Sequence, residues 1–173
     1  MSASINFQPG EKIVYPNHGV GTIENVSSRA FQGRSERFYL LRLNCSSMTV
    51  MVPFSHVEEL GLRKVTRNGE IARVLGYLSE GGCARTADWK DRFKENSEKM
   101  NHGSLPEIAE VFKSLVTQQT RKPLSFREKK MLDRARHMLI TELSISRGLS
   151  ETEACTLLER TLAKACLPLP AAI

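Results

Sequence analysis

The sixteen residues Arg63–Leu78, "RKVTRNGEIARVLGYL", contain a change of period. Upstream of them apolar residues come in short runs or alternate in steps of two. "KIVYP" (12–16) is a brief apolar run closed by Pro16, and "NHG" makes a turn into the alternating "VGTIENV". "RAFQGRSE" (29–36) reads as a polar, glycine-bearing connection into "RFYLLRL", and "NCSS" as a turn into "MTVMVP". Short β-rich segments between Gly, Asn and Ser clusters predict an antiparallel sheet or small barrel. Downstream the spacing becomes helical: Ile71, Val74, Leu75 and Leu78 share one stripe.

Two more stripes follow, Trp89/Phe93/Met100 and Ile108/Val111/Phe112/Leu115. Three start signals precede apolar runs: "SLPE" at Ser104, "SFRE" at Ser125 and "SETE" at Ser150. Each offers a Ser oxygen to the backbone N–H three residues on, and a Glu that reaches back. Pro123 separates the third and fourth helices of this half, and Gly148 ends the fourth. The tail "LPLPAAI" cannot continue a helix and is expected to fray. The expected fold class is α+β: a mostly β domain over 1–66, then an all-α domain over 67–173.

With 25 Lys+Arg against 19 Asp+Glu, the 173-residue chain carries a net charge of +6. That bias suits nucleic acid or a membrane surface, and equally an ordinary basic soluble protein. Cys45, Cys83, Cys155 and Cys166 form no C-x-x-C pair, so no metal site is expected, and free thiols suit a reducing cytoplasm. "MSASINFQPGEK" has no apolar stretch of the signal-peptide kind, and no run approaches the ~20 residues that span a bilayer. His18, His56, His102 and His137 are scattered, and "HGVG" lacks the third glycine of a dinucleotide turn. No local motif supplies a nucleophile with its base, so neither an enzyme nor a cofactor is expected.

Two segments invite a binding reading. From Arg121 to Arg136 there are seven basic residues against Glu128 and Asp133. On a wheel Arg127, Lys130 and Arg134 form one edge beside the buried stripe Met131, Leu132, Ala135 and Leu139. Such a ridge either contacts phosphates or covers apolar surface with its long stems. The only tryptophan, Trp89, opens "DWKDRFK". Its ring is either a core residue in register with Phe93 and Met100, or an apolar wedge beside the charge anchors Lys90, Arg92 and Lys94.

Here the sequence resembles the CarD family of bacterial transcription regulators. "GEKIVYPNHGVGTIENV" looks like that family's opening, and "MVPFSHVEELGLRKV" like the strand and domain end that follow. "DWKDRFKENSEKMNHGSLPEIAEVFKSL" and "LSFREKKMLDRARHMLITEL" are similar to its helical half. The likeness runs in order from about Phe7 to about Leu162.

The resemblance implies a Tudor-like small β-barrel followed by about five helices, in a monomeric, non-enzymatic cytoplasmic regulator. The barrel would bind the RNA polymerase β subunit, and the helical domain promoter DNA at the upstream edge of the bubble, without a membrane partner or strong sequence specificity. Arg29, Leu40, Met51 and Pro53 fall on the implied polymerase surface. Trp89 falls at the minor-groove wedge, with Arg85, Lys90, Arg92 and Lys94 near the DNA backbone. The ridge Arg127, Lys130 and Arg134 joins them as candidate DNA contacts. Some relatives carry Arg where this chain has Met51, a basic residue at Asp91 and Tyr at Phe93. The competing readings are a self-standing DNA-binding protein and an interaction scaffold whose Trp89 is core.

Overall fold

The computed structural model describes residues 6–16, 18–44, 46–81 and 89–171, apart from the side chains of Phe31 and Trp89. The chain divides into two units, Met1–Val65 and Thr66–Ile173, one residue before the expected boundary.

The first unit holds strands β1 (Lys12–Tyr15), β2 (Gly19–Phe31), β3 (Arg34–Leu43), β4 (Thr49–Pro53) and β5 (Arg63–Lys64), with the one-turn helix α1 (Val57–Leu60). They form one antiparallel sheet in the order β4-β3-β2-β1-β5. Alternation in β3 turns Tyr39, Leu41 and Leu43 into a core with Phe7, Ile13, Ile23, Val52, Val57 and Leu62. Tyr39 anchors this core. Its ring stacks on Phe54 with centroids 4.1 Å apart, and its hydroxyl accepts from the Phe7 N–H at 3.1 Å. Gly21 permits the close approach of β2 and β3, since a Cβ there would lie 2.9 Å from the Arg42 carbonyl oxygen.

Two features of β2 were hidden in the sequence. The pairing steps from Ile23↔Leu41 to Asn25↔Leu40, so one extra residue is bulged out. Beyond the bulge the faces exchange: Asn25, Ser27 and Arg29 now oppose Leu40, Phe38 and Glu36. The expected connection "RAFQGRSE" is also mostly strand. Phe31 pairs with Arg34, leaving a two-residue loop, Gln32–Gly33, with φ of 50° and 77° as in a type I′ hairpin. Residues 28–30 and 32–35 are exposed, so the ribbon carries no hydrophobic alternation to read.

The second unit has helices α2 (Asn68–Ser79), α3 (Trp89–His102), α4 (Leu105–Arg121), α5 (Phe126–Arg147) and α6 (Glu151–Lys164). Ile108, Ala109, Val111, Phe112, Leu115 and Val116 of α4 are fully buried in its core. Ser125 and Ser150 form complete capping boxes, and Gly148 closes α5 at φ 65°. At Ser104 the expected box is not made. Its hydroxyl instead donates to Glu107 Oε2 at 2.9 Å, while His102 Nδ1 lies 3.3 Å from the other Glu107 oxygen. Glu107 is thereby drawn into side-chain bonds instead of reaching the cap backbone. Lys113, 1% exposed, donates to the Tyr77 carbonyl at 2.7 Å and sits over the Tyr77 ring, fastening the end of α2 to α4.

The tail departs from expectation too. Cys166 takes φ 57° and the Leu167 N–H returns to the Leu162 carbonyl at 3.0 Å, which reverses the chain. Leu167 and Leu169 then pack on the helical core, and Arg136 Nε donates to the Pro170 carbonyl at 2.9 Å. Over residues 167–170 apolar burial and this bond oppose the fraying that the two prolines suggested, while Ala172 and Ile173 lie outside the described residues.

The start of the second unit is fixed by a buried carboxylate. Glu142 Oε1 accepts from the Thr66 N–H at 2.8 Å and the Thr66 hydroxyl at 2.5 Å, and Ser146 donates to the Thr66 carbonyl at 2.7 Å. Glu142→Ala would take the carboxylate acceptor away from both Thr66 donors, at a cost of about 2 kcal/mol. Urea unfolding followed by helical circular dichroism should show that loss, with Glu142→Gln retaining much of the stability.

Candidate protein- and nucleic-acid-binding surfaces

The outer face of the sheet gathers residues from three strands. Leu40 opposes Met51, Phe38 opposes Pro53, and across β2 the same β3 residues meet Asn25 and Ser27. Directly opposed residues share a face. Arg29, Leu40, Met51 and Pro53 therefore lie on one side of the sheet, with Arg29 there because the bulge rephased β2. Met51 is 37% exposed, while Leu40 and Pro53 are partly covered. Phe38, not singled out from sequence, stands among them between Ser27 and Pro53. Its signal was available: "RFYLLRL" carries large apolar residues at both parities, more than a one-sided strand needs. Glu36, paired with Arg29, accepts from the Ser55 hydroxyl.

Helix α3 presents its candidates on different faces. Lys90, Asp91 and Lys94 are exposed, whereas Asn96 and Met100 are buried. Trp89 is the first residue of the helix, in the register of Phe93, Asn96 and Met100. Arg85 lies outside the described residues. Arg92 differs from its basic neighbours: its side chain is 15% exposed and its Nη2 meets Glu128 Oε1 at 3.3 Å. Glu128 is itself the capping-box residue of α5, with Oε2 accepting from the Ser125 N–H at 3.0 Å. Arg92 thus joins α3 to the start of α5 and does not project as a charge anchor.

On α5, Arg127, Lys130 and Arg134 are all exposed, as are Arg121, Lys122 and Lys129. Of the two acids in this stretch, Glu128 is buried and Asp133 is half-buried, so the outward surface is more cationic than the sequence suggested. Arg136 is directed to the tail and to Cys155 Sγ at 3.6 Å. Among the described residues no group of three or more His, Cys, Asp or Glu could hold a metal ion, and no helix is long and apolar enough to cross a membrane.

The first unit thus carries an apolar sheet face and the second a cationic helical surface. Residues 7–66 match the family model described as "CarD-like/TRCF RID domain", a Tudor-like fold, and residues 73–159 match "CarD, C-terminal domain". The chain belongs to the CarD family of transcription factors. It is 37% identical over 147 residues to the "Putative transcription factor YdeB" of Bacillus subtilis (strain 168), covering 85% of this chain and 96% of that protein. It is also 32% identical to a solved structure described as "CdnLNt from Myxoccoccus xanthus", at a TM-score of 0.31, over 38% of this chain and 92% of that one.

The two kinds of basic residue on α3 should separate in stability. Arg92→Ala leaves the Glu128 carboxylate buried without its guanidinium and should cost about 2 kcal/mol. Lys94→Ala, at an exposed position, should stay within about 0.5 kcal/mol of the wild type. Thermal unfolding of both variants checks this.

Proposed function

We propose that this protein is a non-enzymatic transcription regulator that docks on the RNA polymerase β subunit and stabilises the promoter open complex. The observation that carries the reading is the convergence of Arg29, Leu40, Met51 and Pro53, from three strands, on one outer sheet face. An apolar patch with a cation at its end offers a partner burial together with one orienting charge. Membership of the RID-type domain family supports polymerase as that partner. In this setting the protein acts as a cytoplasmic monomer.

The helical domain is the DNA-facing half of the mechanism. Trp89 enters the minor groove at the upstream edge of the bubble, and Arg85, Lys90 and Lys94 hold the neighbouring backbone. The Arg127, Lys130 and Arg134 ridge adds phosphate contacts. Phosphate contacts position a protein without reading sequence, so the action depends on bubble geometry. A ring inserted at the junction opposes reannealing, and unstacking there costs only a few kcal/mol. Docking on polymerase raises the effective concentration of a weak DNA binder, so a net charge of +6 is sufficient. At promoters whose open complex is already long-lived, the same contact slows escape. Arg92 serves as a positioning residue through Glu128.

The exposed cationic surface of α5 favours a second reading, a self-standing DNA-binding protein. One experiment separates the two. Met51→Asp places a charge in the apolar sheet face and changes no residue of the helical unit. It should reduce capture of the polymerase β subunit at least about tenfold, as expected for a charge in a desolvated interface centre. Direct DNA binding should be unchanged. If β-subunit capture is absent for wild type while DNA binding is strong and steeply salt-dependent, the second reading holds.

A further inference from the structure

Phe126 is the most exposed large apolar side chain among the described residues, at 72%. It is the first residue of α5, directly after the Ser125 cap. At 72% exposure the ring buries little for the fold beyond its contact with Lys130, and the capping box needs only Ser125 and Glu128. Its surroundings are cationic. Lys130 Nζ lies 4.5 Å from the ring centroid, and Arg127, Lys129 and Arg134 are exposed on the same helix, with Arg121 and Lys122 just before it. The neighbouring carboxylate, Glu128, is turned inward to Arg92 and the cap, so it does not neutralise this surface.

A second observation gives the patch a direction. The Arg92–Glu128 pair, 3.3 Å long, joins the first turn of α3 to the first turn of α5. Trp89 is three residues before Arg92, and Phe126 is two residues before Glu128. The two helix starts that carry these aromatics are thus held together by a part-buried ion pair.

We infer that Phe126 is a second aromatic contact for nucleic acid, stacking on an unpaired base while the flanking Lys and Arg residues hold its backbone. Charge complementarity selects a polyanion, and an exposed ring among cations is the arrangement that accepts unstacked bases without regard to sequence. A plain duplex offers the ring no free base face, whereas the single-stranded margin of a bubble does. The inference rests on the DNA-facing role of the helical domain, but its test needs no polymerase.

The test uses the full chain and a forked DNA, a duplex ending in unpaired strands, beside a plain duplex of equal length at low salt. Phe126→Ala should weaken forked-DNA binding about tenfold and leave plain-duplex binding nearly unchanged. Phe126→Tyr should restore forked-DNA binding, because it keeps the ring. Position 126 is exposed, and a thermal melt confirms that these variants fold. In the doubly substituted chain Trp89→Phe/Phe126→Trp the only indole is at 126, and forked DNA should quench its emission. Equal binding of the forked DNA by wild type and Phe126→Ala overturns the inference, as does an indole that DNA does not quench. Quenching by plain duplex to the same extent, or emission that changes with protein concentration alone, overturns it in favour of backbone contact or a second copy. These outcomes leave β-subunit capture untouched, so the polymerase reading stands or falls separately.

Discussion

Much of the helical unit depends on how one carboxylate is used. Glu128 has two oxygens and serves two helices: Oε2 completes the cap of α5, and Oε1 receives Arg92 from α3. Because both partners are largely out of water, removing either deprives the other of its charged partner. The bond ties the first turns of α3 and α5 to each other. The Lys113–Tyr77 and Glu142–Thr66 bonds play the same part at the two ends of α2. Buried polar groups with satisfied partners make such a helical assembly specific as well as stable.

The sheet unit has a comparable constraint in a single inserted residue. Without the bulge between Ile23 and Asn25, strand parity would turn Arg29 toward the Tyr39 side and break up the outer face. With it, a basic residue, three apolar residues and Phe38 share one surface. This local irregularity, more than the regular pairing around it, decides which residues make up the outer face.

The sequence made the fold class, the change of period at Arg63–Leu78 and the helix starts at Ser125 and Ser150 legible, because each rests on local chemistry. It concealed the long β2–β3 ribbon, whose exposed faces carry no alternation, and the docked tail, whose order comes from contacts with Arg136 and the core. The Ser104 signal misled because its motif was present but its glutamate had other partners. Among candidate site residues, Lys90, Lys94, Arg127, Lys130 and Arg134 are exposed as a contact role requires. Arg92 is not, since its partner Glu128 lies thirty-six residues away and no spacing rule links them. Phe38 and Phe126 were visible as letters, but only strand register and exposure gave them meaning.

A polymerase-bound ring that holds a promoter open must lengthen the life of the open complex. The most direct measurement is the lifetime of polymerase–promoter open complexes with wild type and with Trp89→Ala, after a melt shows the variant folded. Wild type should lengthen the lifetime, and the folded variant should lose most of that effect. A folded Trp89→Ala that prolongs the complex as wild type does would contradict that role of the ring.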